Sequence, residues 1–222
     1  MTSNVMNALD KIKDLPLFKE ELYFTGGTAL SYYINHRISE DIDIISAKEL
    51  EYKKIIASML SIDAKKIEDE NVFALRLAGL FPDEYVLKFI LDGVKIEFFY
   101  ANRATQKEIL KTSSFKYYKG ANLKILDVKT ISKLKIVALL QREKSRDLFD
   151  FGAMLEHLVV SVEEILSVAE GLKNIKSKEE LLKFIEAKEE AKEDEAVYLD
   201  EANRLDLSFE EIKKRVVLQL KV

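Results

Sequence analysis

The sequence predicts an α+β protein, with strands and helices mixed over residues 1–125 and an α-helical region over residues 126–222. Three observations lead there. Short apolar runs bounded by turn residues crowd the first half, the mark of strands. Leu91-Asp92-Gly93-Val94 joins two such runs through Asp-Gly, a strong two-residue hairpin signal. From about Thr130 onward the apolar spacing is helical, with no linker and no internal repeat.

In chain order, residues 1–14 read as a short helix and Leu22–Phe24 as a strand running into Gly26-Gly27. A helix-like TALSYYI follows the glycines. Asp41–Ile45 reads as a strand and Ala47–Leu60 as a helix. Val72–Ala78, Tyr85–Leu91 and Val94–Tyr100 read as further strands, completing a mixed sheet with flanking helices. In the second half, breaks are expected near Gly171–Lys176 and Asp206–Ser208. Ser208 and Glu211 have the spacing of a capping box, and Ser145 is a candidate N-cap. The charged run Lys188–Glu195 reads as a solvated helix.

With 48% apolar and 33% charged residues among 222, the chain is long and apolar enough to bury a core and is not of disordered type. No run of about 18 apolar residues exists, which argues against a membrane span. The first residues lack a signal peptide's apolar stretch, so a cytoplasmic protein is expected. With no cysteine, disulfides and thiolate metal sites are excluded. The net charge of −4 conceals an asymmetry. Between residues 103 and 146, twelve Lys and Arg stand against only Glu108, Asp127 and Glu143, while residues 150–222 are acidic. A basic stretch beside a functional site favours a polyanion.

The densest chemistry lies between Thr25 and Ile45. Backbone N–H groups of a glycine turn, with the N-terminus of the next helix, suit phosphate oxygens. Fourteen residues beyond Gly27 comes Asp41, then Asp43, two carboxylates on one face of a strand. Such a pair repels unless a cation sits between, and Mg²⁺ prefers carboxylates together with substrate phosphate. Glu97, opposite Ile96 and Phe98 on its strand, is the candidate third carboxylate; the alternative is a cross-strand pair with Lys88. Arg37 is a candidate to grip phosphate or position Asp43, against a surface ion pair with Glu40 or Asp41. Ser39 is a candidate to fix the start of the strand, against a purely local turn bond.

A second cluster opens the helical half. Lys135 and Arg142 lie seven residues apart, on one helix face, where a triphosphate would relieve their repulsion. Asp147 suits the first turn of the next helix. Arg146 and Asp150 are expected in an interhelix salt-bridge cluster. His36 is expected to make a local hydrogen bond, and His157 is assigned no role. Tyr117 and Tyr118, flanked by Lys116 and Lys119, suit base stacking or edge-strand packing.

Gly26-Gly27-Thr28-Ala29-Leu30, His36-Arg37-Ile38-Ser39-Glu40-Asp41-Ile42-Asp43 and Lys135…Ala138…Arg142…Arg146-Asp147…Asp150 stand in an order and spacing that resemble the abortive-infection (AbiEii-type) nucleotidyltransferase toxins. The likeness covers about residues 22–151, within a superfamily that includes polymerase beta and the aminoglycoside nucleotidyltransferases. It implies a nucleotidyltransferase fold and transfer of a nucleoside monophosphate from a triphosphate. Mg²⁺ is implied on Asp41 and Asp43, joined loosely by Glu97. Gly26, Gly27 and Thr28 would hold phosphate, and Lys135 would meet the triphosphate. Asp147 would orient Lys135 or help activate the acceptor. The implied partners are an RNA acceptor, a tRNA end in some relatives, and an antitoxin protein. A small-molecule nucleotidyltransferase and a catalytically silent nucleotide-binding protein are the alternatives.

Overall fold

The computed structural model describes residues 1–68, 72–192, 197–199, 204–205 and 207–221. Ten helices and seven strands are assigned among them. The chain divides into two compact units, Met1–Tyr32 with Ser39–Asp127, and Tyr33–Ile38 with Val128–Val222.

The first unit is built on the strands β1 (Leu22–Thr25), β2 (Ile42–Ser46), β3 (Lys65–Ile67), β4 (Val86–Leu91), β5 (Val94–Tyr100), β6 (Phe115–Tyr117) and β7 (Lys124–Leu126). They form one sheet in the order β3-β4-β5-β2-β1-β7-β6. The pairs β2–β5 and β1–β7 are parallel and the others antiparallel, so the sheet is mixed. Register explains the alternation along each strand. Ile42 and Ile44 of β2 match Ile96 and Phe98 of β5, and Phe89 of β4 matches Ile96 in turn. All five are fully buried, with Phe89 and Phe98 meeting edge to face. The opposite face carries Lys88, Glu97, Asp43 and Thr25 in one row. Packing of apolar side chains therefore fixes on which face the carboxylates emerge.

The helices of this unit are α1 (Ser3–Ile12), α2 (Gly26–Ile34, whose last residues belong with the second unit), α3 (Tyr52–Leu60), α4 (Val72–Leu77) and α5 (Ala104–Lys111). Helix α1 is capped by Thr2, whose hydroxyl accepts from Val5 N–H, and it buries Val5, Ala8, Leu9 and Ile12 at helical spacing. The hairpin turn between β4 and β5 has Asp92 and Gly93 both at positive φ (50° and 80°), the backbone its sequence called for. Two elements differ from expectation. The helix expected from Ala47 begins only at Tyr52, because Ser46 hydrogen-bonds both backbone groups of Lys48 and holds a turn there. The strand expected over Val72–Ala78 is the helix α4. Gly79 at φ 77° ends it, with Gly79 N–H donating to Arg76 and Leu80 N–H to Leu75, a Schellman cap.

The second unit is helical: α6 (Val128–Gln141), α7 (Ser145–Glu156), α8 (Val162–Lys173), α9 (Lys178–Glu186) and α10 (Phe209–Lys221). Helix α8 carries a full capping box between Ser161 and Glu164 and ends on Asn174 in the left-handed region (φ 55°). Helix α10 begins at the expected box, with Glu211 N–H donating to the Ser208 hydroxyl and Ser208 N–H to the Glu211 carboxylate. At Gly152 of α7 a Cβ would lie 3.1 Å from Val216 of α10, so a bare glycine lets the two helices meet. Ser145 does not cap α7: Lys144 stands at the cap position, and Ser145 is the first helical residue. The charged run after α9 is not a solvated helix. Residues 188–192 are non-helical, and Lys188 is buried with its ammonium on Arg142 O and the Glu143 carboxylate. Residues 193–195 of that run, and Asp206 of the expected break, lie outside the described residues.

Candidate active site

In the first unit the chain leaves β1 at Thr25 and turns at Gly26, where φ is 79°. A Cβ built on Gly26 would fall 2.0 Å from Asp43 Oδ2. The Asp43 carboxylate is thus pressed against the backbone of the turn, and only glycine permits both the conformation and the approach. Asp43 sits in register with Thr25 on one side and Glu97 on the other. Adjacent strands lie about 4.8 Å apart, so the Asp43 and Glu97 side chains are neighbours on one face. Asp41, one residue before β2, reaches the same face: Lys95 Nζ is 3.0 Å from Asp41 Oδ2 and 4.0 Å from Glu97 Oε2. Burial disfavours the Lys95 charge, but the Asp41 hydrogen bond and the charges of Asp41, Glu97 and Asp43 outweigh it, and its pKa is raised. Sequence reasoning missed this lysine; its place two residues before Glu97 on the same strand face was the available signal.

Thr28 and Ser39 hold the start of β2 in place. The Thr28 hydroxyl hydrogen-bonds both the Asp41 carbonyl and the Ser39 hydroxyl, the latter at 2.8 Å. The Ser39 bond therefore reaches back eleven residues to α2 rather than staying within its own turn. The Thr28 side chain is spent on positioning Asp41, which leaves backbone N–H groups as what this turn offers to phosphate.

Among the described residues, no three Asp, Glu or His side chains form a ready-made metal cage. Mg²⁺ does not call for one, since it is commonly held by one or two carboxylates together with substrate phosphates and water. Two features of the structure fit such an ion. Oxygen donors of the right chemistry line one face, and the buried Thr25 hydroxyl beside Asp43 has no hydrogen-bond partner among the described residues.

In the second unit Asp150 stands in a salt-bridge cluster as expected, with Lys135, Arg37 and His36 as its partners. Asp150, fully buried on α7, accepts Arg37 Nε at 2.6 Å, Arg37 Nη2 at 3.1 Å, His36 Nε2 at 2.7 Å and Lys135 Nζ at 2.7 Å. Burial pushes its carboxyl up, but Arg37, Lys135 and His36 together hold it well below the usual range. The His36 bond needs Nε2 as donor, because an ionised carboxylate only accepts. Asp147 lies 3.7 Å from Lys135 and is gripped through both oxygens by Arg142, at 2.8 Å from Nη2 and through Nε.

Three assignments change accordingly. Arg37 is not a surface partner of Glu40 or Asp41, being buried against Asp150. The carboxylate that orients Lys135 is Asp150 first and Asp147 second. His36 bonds a residue 114 positions away rather than a local one. Around the two carboxylates stand three cations, Arg37, Lys135 and Arg142.

A mixed sheet that sets acidic side chains on one face beside a glycine turn, together with a helical unit rich in paired cations, defines a nucleotidyltransferase. The family model described as "Nucleotidyl transferase AbiEii toxin, Type IV TA system" matches residues 8–215, and the chain belongs to that family. An uncharacterised protein of Aquifex aeolicus (strain VF5) is 27% identical over 198 residues, covering 87% of this chain and 88% of that protein. Among solved structures, MenT4, a nucleotidyltransferase toxin of Mycobacterium tuberculosis H37Rv, aligns with a TM-score of 0.53 at 12% identity over 97% of this chain and 81% of its own. JHP933 of Helicobacter pylori aligns with a TM-score of 0.51 at 20% identity over 100% and 92%. These two likenesses speak to the fold alone. No helix among the described residues is long and apolar enough to cross a membrane.

Proposed function

We propose that this nucleotidyltransferase moves a nucleoside monophosphate from a nucleoside triphosphate to a hydroxyl at an RNA end, most simply that of a tRNA. It does so with Mg²⁺, in the cytoplasm, as the toxin of a toxin–antitoxin pair. The observation that carries the reading is the register of Asp43 with Glu97 beneath a turn that only glycine can form.

Asp41, Asp43 and Glu97 are the residues that would hold Mg²⁺. The ion, when bound, supplies positive charge to the phosphate oxygens as negative charge shifts toward the leaving group. Backbone N–H groups at Gly26, Gly27 and Thr28 receive phosphate, Ser39 supports that turn through Thr28, and Arg37 holds Asp150. Lys135 and Arg142 offset the charge of the triphosphate, held in place by Asp150 and Asp147. The acceptor hydroxyl oxygen bonds to the α-phosphorus and gives up its proton to solvent as the bond to pyrophosphate breaks. Positioning and electrostatics suffice for such a transfer, so no side-chain nucleophile is required. The basic run 103–146 favours RNA over a small acceptor.

The test is incubation of the protein with α-phosphate-labelled triphosphates, Mg²⁺ and total RNA. Label on RNA, lost in a folded Asp43→Ala variant, supports the reading. Label on a small molecule moves the assignment to a small-molecule transferase. Absence of both transfer and nucleotide binding marks a silent protein, and transfer that survives Asp43→Ala removes the aspartate from the site.

A further inference from the structure

Lys188 lies just beyond α9 in the second unit and is only 4% exposed, an unfavourable place for an ammonium unless it is paired. Its Nζ donates to the Arg142 carbonyl at 3.0 Å and to the Glu143 carboxylate at 2.8 Å, and stands 5.2 Å from the centre of the Phe184 ring. Its own carbonyl accepts from Lys213 Nζ of α10 at 2.9 Å, so the residue is held at both ends. Arg142 is where α6 stops. Its N–H still donates to Ala138 O, while its carbonyl is one of the last in a helix, which have no helical partner. Lys188 supplies that partner from 46 positions further along the chain.

The chain beyond Lys188 also reaches the other arm of the charge cluster. Ile38 N–H donates to the Tyr198 carbonyl at 2.7 Å, and Arg37 Nη1 donates to the Ile38 carbonyl at 2.8 Å. Lys188 and Tyr198 thus brace the turns that carry Arg142 and Arg37, and those arginines grip Asp147 and Asp150, the two aspartates that pair with Lys135. Bracing matters most at Arg142. Only residues 142–144 separate α6 from α7, and the guanidinium must lie flat along Asp147 to meet both of its oxygens. Lys188 also occupies the Glu143 carboxylate, a negative group next in sequence to Arg142 that would otherwise oppose an incoming anion.

We propose that Lys188 is a positioning residue for triphosphate binding: by fixing the Arg142 carbonyl and holding the Glu143 carboxylate, it keeps the Arg142 guanidinium on Asp147, next to Lys135. This rests on the reading above that Lys135 and Arg142 meet the triphosphate. A cap for α6 alone does not call for such a residue. Water satisfies the last carbonyls of an ordinary helix, and apolar replacement of a buried ion pair is often neutral for stability. What the buried ammonium adds here is a fixed direction for the turn.

The test titrates the full chain, with Mg²⁺, against fluorescent N-methylanthraniloyl forms of the common ribonucleoside triphosphates and follows the tightest binder. Lys188→Met should weaken triphosphate binding about three- to tenfold, as should Arg142→Met. Placed in the Arg142→Met background, Lys188→Met should cause no further loss, because the group it positions is gone. In transfer assays Lys188→Met should raise KM for the triphosphate and leave kcat unchanged, the pattern of lost uniform binding. A folded Lys188→Met variant that melts lower yet binds triphosphate like the wild type would show a helix cap only and overturn the proposal. Equal losses in the two backgrounds would also overturn it. If Lys188→Met does not fold, Lys213→Met, which releases the Lys188 carbonyl from α10, replaces it in the same cycle under the same criteria. If the wild-type chain binds no triphosphate, or Arg142→Met binds it as tightly as the wild type, the triphosphate reading fails and takes the proposal with it.

Discussion

Gly26 carries two constraints at once, a φ of 79° and a carboxylate oxygen 2.0 Å from where a Cβ would stand. Gly26→Ala is therefore expected to cost about 1–3 kcal/mol of stability from backbone conformation. It also displaces Asp43, so transfer should fall more than the thermal melt does; equal losses would show the turn to be structural only. Lys95 is a resident cation among Asp41, Glu97 and Asp43. Lys95→Met removes a competitor and should tighten Mn²⁺ binding to the nucleotide-free protein, read by electron paramagnetic resonance; unchanged or weaker binding contradicts this. Asp150 gives a pH signature. Its folded pKa lies below the unfolded value near 3.9, so its stabilisation is complete above that value and is lost as pH falls below about 4. Asp150→Asn leaves Arg37 and Lys135 without their buried partner and should cost about 3–5 kcal/mol at neutral pH. The variant should also show a shallower acid limb in urea melts, and an unchanged limb would remove Asp150 as its source.

At the scale of elements, alternation was the reliable guide, and local caps held at Ser208 but not at Ser145. The strand expected at Val94–Tyr100 is β5 without adjustment, because Val94, Ile96 and Phe98 alternate with Lys95 and Glu97. Residues 72–78 misled because Val72, Phe73 and Leu75 favour a strand by composition, while Gly79 was placed to close a helix. Lys188 misled for another reason. A lysine in a charged run reads as solvated, and its burial depends on carbonyl and carboxylate partners more than forty residues earlier. Local chemistry did predict the box at Ser208 and Glu211, and the box at Ser161 and Glu164 has the same form. Ser161→Ala should therefore destabilise the protein by about 1 kcal/mol in thermal or urea melts. A loss within error would mean that α8 is held by packing alone.

Across the whole molecule, the two motif groups fall in different units. The common face of Asp41 and Asp43 was legible from their two-residue spacing, which holds although Asp41 stands one residue before β2. The pairing of Arg37 and His36 with Asp150 was not, because it joins positions more than 110 residues apart and is made only when the chain folds. The segment Tyr33–Ile38 belongs with the helical unit, which places that motif's His-Arg pair and its Asp-x-Asp pair in separate bodies. The central claim concerns the second of these: acidic groups on one sheet face capture a divalent cation together with the triphosphate. The most direct measurement is Mn²⁺ binding in the presence of a non-hydrolysable triphosphate, compared between the wild-type chain and Asp43→Asn. The account predicts that triphosphate tightens Mn²⁺ binding to the wild-type chain and that this gain disappears in the variant. Equal Mn²⁺ affinity in the two proteins, with triphosphate bound and both folded, would contradict it.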